Sequence, residues 1–261
     1  MTSDPSPIQY LRRPKLKDPL FVAAFEGWND GGTAATNAVQ RLISTFAAEK
    51  FATLDPEPFY VFSESRPLVK LTEGRTRRVD WQTNDFYHAP LPGTQRDIVL
   101  FRGTEPNLRW RSYCAQLIAV AREHGVRQVV TLGAFLADVL YTLPIQVNGF
   151  SNTPDLEEKF GLKRTSYEGP TGIVGVVSNE CQDHFQMLSL WAAVPYYISI
   201  PNPKAVHALL IKLKTIYGFE LNLEPLERDA DSFDNEINDV VARDPNVAAY
   251  VRELKKRDFL N

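Results

Sequence analysis

At 261 residues and 44% apolar content, the chain can bury about three quarters of the surface its unfolded form exposes, enough for a sizeable core without staples. Its 29 basic and 32 acidic residues leave a net charge of -3 and are interspersed along the chain, which argues against nucleic-acid and anionic-membrane partners. Two cysteines, Cys114 and Cys181, are too few for a disulfide framework and lack metal-ligand spacing, so a reducing cytoplasm without metal or other cofactor is expected.

Residues 1–19 (MTSDPSPIQYLRRPKLKDP) carry charges and prolines where a signal peptide needs an apolar core, and no apolar run approaches 18 residues, so neither export by that route nor a membrane span is expected. Residues 20–25 (LFVAAF) read as a strand buried on both faces. Residues 33–48 follow with Ala35, Ala38, Val39, Leu42, Ile43 and Phe46 at three- and four-residue steps, an amphipathic helix. Residues 59–62 (FYVF) read as a second strand and 77–88 as an exposed or antiparallel one.

Strand 97–101 (DIVLF), a helix through Leu108, Tyr113, Leu117, Ile118 and Ala121, and strand 128–132 (QVVTL) make a βαβ unit. A further unit is read as strand 172–177 (GIVGVV), helix 179–192 and strand 195–200 (PYYISI), followed by a helix from Pro203 to near Gly218. Residues 149–172 are too long for an ordinary connection. Beyond Glu220 the composition turns acidic, and Phe233, Ile237 and Val240, then Val247, Val251 and Leu254, mark a terminal helical hairpin opened by Asp244-Pro245. The fold class is α/β, divided as a core over 1–220 and a helical appendage over 221–261.

The octet FEGWNDGG at 25–32 sits where a strand hands over to a helix, the place from which α/β folds bind ligands. Gly27, Gly31 and Gly32 do not fit the dinucleotide fingerprint, and no P-loop Lys is present. Asp30 would repel a phosphate and is suited to cap the helix itself. The octet is therefore either a structural turn or a ligand or partner surface, with Glu26, Trp28, Asn29, Asp30, Gly31 and Gly32 as its candidates. Arg102 and Arg109 follow the next core strand, either to pair with Glu26 or Asp30 or to grip an anion. Asn179, read as lying at a helix start after Val177, offers a further hydrogen bond. Asp138 reads as a cap, Glu180 and His184 as a surface pair rather than a metal site, and 169–172 (GPTG) as a hinge with positive-φ glycines. No catalytic elbow, zinc motif or nucleophile–base pair is visible.

Taken in order, residues 27–32 (GWNDGG), Tyr-x-Gly-Pro-Thr-Gly-Ile at 167–173, LWAAVP at 190–195 and PNPKA at 201–205 resemble the proteasome assembly chaperone 2 family, in its prokaryotic, actinobacterial-type branch, over about residues 18–218. The resemblance implies a three-layer αβα sandwich similar to nucleoside phosphorylases and peptidyl-tRNA hydrolases, used by eukaryotic members to bind proteasome α subunits. Two features depart from the family's pattern. The chain ends Phe259-Leu260-Asn261 instead of in a hydrophobic-Tyr-any tripeptide, and Tyr141 and Leu143 stand where relatives carry His and Arg.

The expectation that follows is a non-catalytic protein acting through protein contacts, with Trp28, Trp110 and Tyr167 as anchors, homo-oligomeric by analogy with threefold phosphorylase-like rings and with proteasome subunits as possible partners. The alternative is a phosphorylase- or hydrolase-like enzyme or small-molecule binder with its pocket at the carboxyl edge of the sheet.

Overall fold

Strand Leu20–Glu26 explains the layering of the whole molecule. Its side chains alternate, sending Leu20, Val22 and Ala24 to one apolar cluster and Phe21, Ala23 and Phe25 to another. A strand covered on both faces gains nothing from a polar alternate, so the run is apolar throughout. The computed structural model describes residues 6–72, 74, 76–164 and 166–259.

In chain order the elements are β1 (Ile8–Tyr10), β2 (Leu20–Glu26), α1 (Ala34–Thr45), β3 (Glu49–Leu54), β4 (Leu68–Thr72), β5 (Thr76–Asp80), β6 (Asn84–Pro90), β7 (Asp97–Thr104), α2 (Trp110–Glu123), β8 (Gln128–Ala137), β9 (Val147–Ser151), α3 (Leu156–Lys159), α4 (Ile173–Gln182), β10 (Gln186–Pro195), α5 (Pro203–Tyr217), α6 (Glu224–Arg243) and α7 (Pro245–Phe259). Eight strands form one sheet in the order β1-β3-β6-β7-β2-β8-β10-β9, with β7, β2, β8 and β10 parallel and the flanks antiparallel. Helices α1 and α5 cover one face and α2 and α4 the other, which makes the three-layer α/β sandwich expected from the sequence.

Helix α6 packs on α5 and α7 on α6. Their apolar sides, Phe233, Ile237, Val251 and Leu254, form a third cluster with Leu140, Tyr141 and Ile198 at the carboxyl ends of β8 and β10. Lys204 to Asp234 (2.8 Å) and Arg41 to Asp229 (3.1 Å) add ion pairs across the seam. Among the described residues no helix is long and apolar enough to cross a membrane.

Several elements differ from the sequence-based expectation. Residues 59–62 form no strand: the Phe59 carbonyl accepts from the amides of Asn107 and Leu108, the Tyr60 hydroxyl donates to the Thr104 carbonyl (2.6 Å), and the strand of this region is β3. Residues 77–88 split between β5 and β6. Residues 172–177, read as a strand, open helix α4, which buries Ile173, Val174, Val177, Ser178 and Cys181 at helical spacing. Residues 179–192, read as a helix, instead hold the end of that helix and most of β10, and the strand expected at 195–200 is over by Pro195. Strand β4, which pairs with β5, had no counterpart in the reading, and the long segment 149–172 holds part of β9 and the short α3. The departure at the extreme C-terminus falls on Leu260 and Asn261, outside the described residues.

Candidate functional site

The parallel strands β2, β7, β8 and β10 end along one edge, and the octet lies there between β2 and α1. Gly27 turns the chain with φ 137°, a region that suits glycine. A Cβ at this position would also stand 2.8 Å from that of Glu105. Glu105 then ties three segments together: one carboxylate oxygen accepts from the Trp28 amide (3.0 Å) and the other from the Ile173 amide at the start of α4 (3.2 Å).

Asn29 is buried and spent on structure. Its carbonyl accepts from the Ala134 amide (2.8 Å), and its Oδ1 accepts from the Val174 amide (3.3 Å). Gly172 has ordinary φ (-94°), and the hinge reading of its positive torsion does not hold; a side chain there would run into Asn29. Asp30, also buried, takes the amides of Ala35 (2.8 Å) and Thr36 (3.2 Å) on Oδ1 and the Thr36 hydroxyl on Oδ2. Burial pushes its carboxyl pKa up, opposed by those same hydrogen bonds and reinforced by Glu26. Gly31 packs against Val194 and Leu136, and Gly32 (φ 57°) against Asn202, whose Oδ1 caps α5 through the Ala205 amide (3.0 Å).

The remaining candidates divide. Arg102 approaches Glu26 at 3.9 Å, a loose pair between a partly exposed guanidinium and an exposed carboxylate. Arg109 is exposed at the N-cap of α2 with φ 54°, and no ion pair joins it to Glu26 or Asp30 among the described residues. Asn179 is not at a helix start; it lies past the middle of α4, exposed, accepting from Gln182 Nε2 (3.2 Å), well along the helix from the sheet edge. His184 stands beyond the end of α4 and meets Arg122 (2.9 Å), so the pair expected with Glu180 does not form.

Beside the octet lies an open groove of about 570 Å³, lined among others by Glu26, Gly27, Arg66, Gln82, Glu105 and Trp110. Of the octet only Glu26 and Gly27 reach it. The side chain that organises this edge, Glu105, was not singled out by the sequence, because its partners stand 77 and 68 residues away. Around it, exposed apolar groups are frequent: Trp28 is 63% accessible, Leu136 58% and Tyr167 64%.

Chemically, this edge offers charged and amide groups for binding more than a reactive centre. The thiols of Cys114 and Cys181 are buried in α2 and α4 and pushed up to about 12 by burial. Among the described residues no cluster of three metal-ligand side chains occurs.

A family model described as the PAC2 family matches residues 24–241, starting later than the motif-based span and reaching further toward the C-terminus. The chain belongs to the PAC2 family. It is 45% identical to a PAC2 family protein of Streptomyces avermitilis, with a TM-score of 0.82 over 90% of this chain and 100% of that one. A proteasome-assembly chaperone homologue of Mycobacterium tuberculosis is 41% identical, with a TM-score of 0.81 over 89% and 99% of the two chains. The archaeal proteasome activator of Pyrococcus furiosus shares the fold at 22% identity, with a TM-score of 0.71 over 89% and 97%. No curated protein compared with the chain matched it.

Proposed function

We propose that this chain is a non-catalytic, chaperone-like protein of the cytoplasm that works by protein–protein contact and self-association, with proteasome subunits as its partner class. The observation that carries the reading is the division of labour at the sheet's carboxyl edge. Asn29, Asp30 and Glu105 are turned into structural hydrogen bonds, while Trp28, Leu136 and Tyr167 stand accessible beside them. Exposed aromatic and aliphatic groups on a rigid edge are the usual anchors of an interface. The proteasome-related names of the mycobacterial and archaeal proteins point the same way. On this reading 221–261 is an appendage clamped to the 1–220 core.

Native mass spectrometry of the protein drawn gently from its own cytosol is the test. Proteasome α subunits in the spectrum support the reading; turnover of a small molecule by the purified protein removes it. The groove beside Glu26 and Arg66 supports a second reading, a phosphorylase- or hydrolase-like small-molecule site. That reading requires thermal stabilisation by phosphate or nucleosides, about 2.7 kcal/mol at 100 times the dissociation constant.

A further inference from the structure

The β4–β5 hairpin stands apart from everything described so far. Its strands form a two-stranded sheet of their own and pair only with each other. A lone ribbon of that size is marginally stable in water. Register fixes its two faces. Cross-strand partners Val69 and Val79 lie on one side with Leu71 and its partner Arg77, while Lys70 and Arg78 lie on the other with Asp80, which pairs with both at 2.7 and 3.0 Å. The apolar face is left in solvent: Val69 is 60% accessible, Leu71 65% and Val79 45%. Among the described residues of the two strands, the charge on the apolar face is the basic Arg77, while Lys70 and Arg78 are paired with Asp80 on the other face.

A matching surface lies on the same chain. Acidic residues outnumber basic ones seven to two along α6. Asp231, Glu236 and Asp239 are exposed there, and Val240 stands exposed one residue beyond Asp239. Tyr196 and Leu143, both exposed, border the same end of the molecule: Tyr196 stacks edge-on with Tyr250, and the Leu143 amide bonds to the carbonyl of Leu140, a member of the third cluster.

Within one chain the arm's strands pair only with each other, and among the described residues no ion pair joins the arm to α6. Arg66 and Gln82, at the base of the arm, border the groove by β2 and β7, whereas Asn238 of α6 accepts from the Tyr141 hydroxyl (2.6 Å) just past the end of β8. A second copy apposed by its carboxyl edge brings each arm onto the other's helices, so one contact is made twice. We propose that the β4–β5 arm docks by its apolar face, which also carries Arg77, on the acidic α6 surface of a second copy of this chain. The proposal rests on the self-association in the functional reading and deepens it by naming the surfaces.

The test uses the full chain in sedimentation velocity with Arg77→Glu, Val79→Asp and Glu236→Lys/Asp239→Lys variants. Each variant alone is expected to weaken assembly by about tenfold or more, since like charges are set opposite one another or a charge enters an apolar contact. Mixing the arm-reversed and helix-reversed chains should restore assembly. An unchanged melting temperature measured at dilution shows that each variant still folds, as expected for an arm outside the main sheet and for the exposed Glu236 and Asp239. A wild-type chain that stays monomeric overturns both the self-association reading and this contact. An assembled wild type that none of the substitutions weakens overturns the contact alone, as does a failure of the mixed chains to reassemble.

Discussion

The octet at 25–32 and the arm at 68–80 are both short and irregular in composition, yet they stand in opposite relations to the core. In the octet the polar side chains of Asn29 and Asp30 are buried and satisfied by amides of α1 and α4. In the arm, Val69 and Leu71 are more than half exposed and Val79 nearly half, on strands that pair only with each other. Polar groups inside and apolar groups outside invert the ordinary rule in both places. The first inversion is resolved by hydrogen bonds within the chain, which marks it as architecture. The second is not resolved by hydrogen bonds of that kind among the described residues, and on the proposal above a second copy covers it.

The largest effect expected from breaking this contrast comes at Asp30. Asp30→Ala removes the acceptor for two amides and a hydroxyl at the buried start of α1, and a lost cap plus unsatisfied donors should cost about 3 kcal/mol in chemical denaturation. Asp30→Asn keeps Oδ1 for the amides and sheds a desolvated charge, so it should cost clearly less. The pH dependence follows from the raised pKa. The folded chain holds the Asp30 proton more tightly than the unfolded chain. That contribution is therefore fully present below about pH 4 and is lost as pH rises through the folded-state value. Wild-type stability measured against Asp30→Asn should fall over that window and then level off; a difference that grows with pH would show that the hydrogen bonds outweigh burial.

Next comes Gly172→Ala, whose methyl group would push Asn29 off the Val174 amide. Overpacking there should cost about 2 kcal/mol, and no loss would mean that the α4 start slides freely on the octet. Glu105→Gln keeps one acceptor but sets an amide donor against either Trp28 or Ile173. About 1.5 kcal/mol is expected, visible as faster hydrogen exchange at whichever of the two amides is released.

How much of this contrast was legible in the sequence depends on the range of the interactions involved. β2, α1, α5 and the α6–α7 pair were readable because their signals are local: an unbroken apolar run, helical spacing, Pro203 at a first turn, the Asp244-Pro245 break. Residues 172–177 deceived because Gly and β-branched residues imitate a buried strand, while 186–195, rich in Met, Leu, Ala and Trp, imitates a helix. Segment 186–195 is covered on both faces of the sheet, so it shows no alternation, and in both segments packing overrides propensity. Asp30 as a cap was legible, since its role lies within six residues. Glu105, and the approach of Gly172 to Asn29, were not, because each depends on segments brought together from far along the chain.

The smallest effect should come from the arm, and its smallness is informative. Val69→Thr/Val79→Thr keeps β-branched shape and strand preference while removing apolar surface from a largely exposed face. In dilute protein the change in stability should stay within about 0.5 kcal/mol, the range of an ordinary surface substitution. Raising the concentration separates the two explanations for the exposed face. If a second copy covers it, wild-type melting temperature rises with concentration through mass action and the variant's does not. If the two proteins melt together at every concentration, the arm's apolar face has no partner among copies of its own chain, and the contrast with the octet then concerns a different protein.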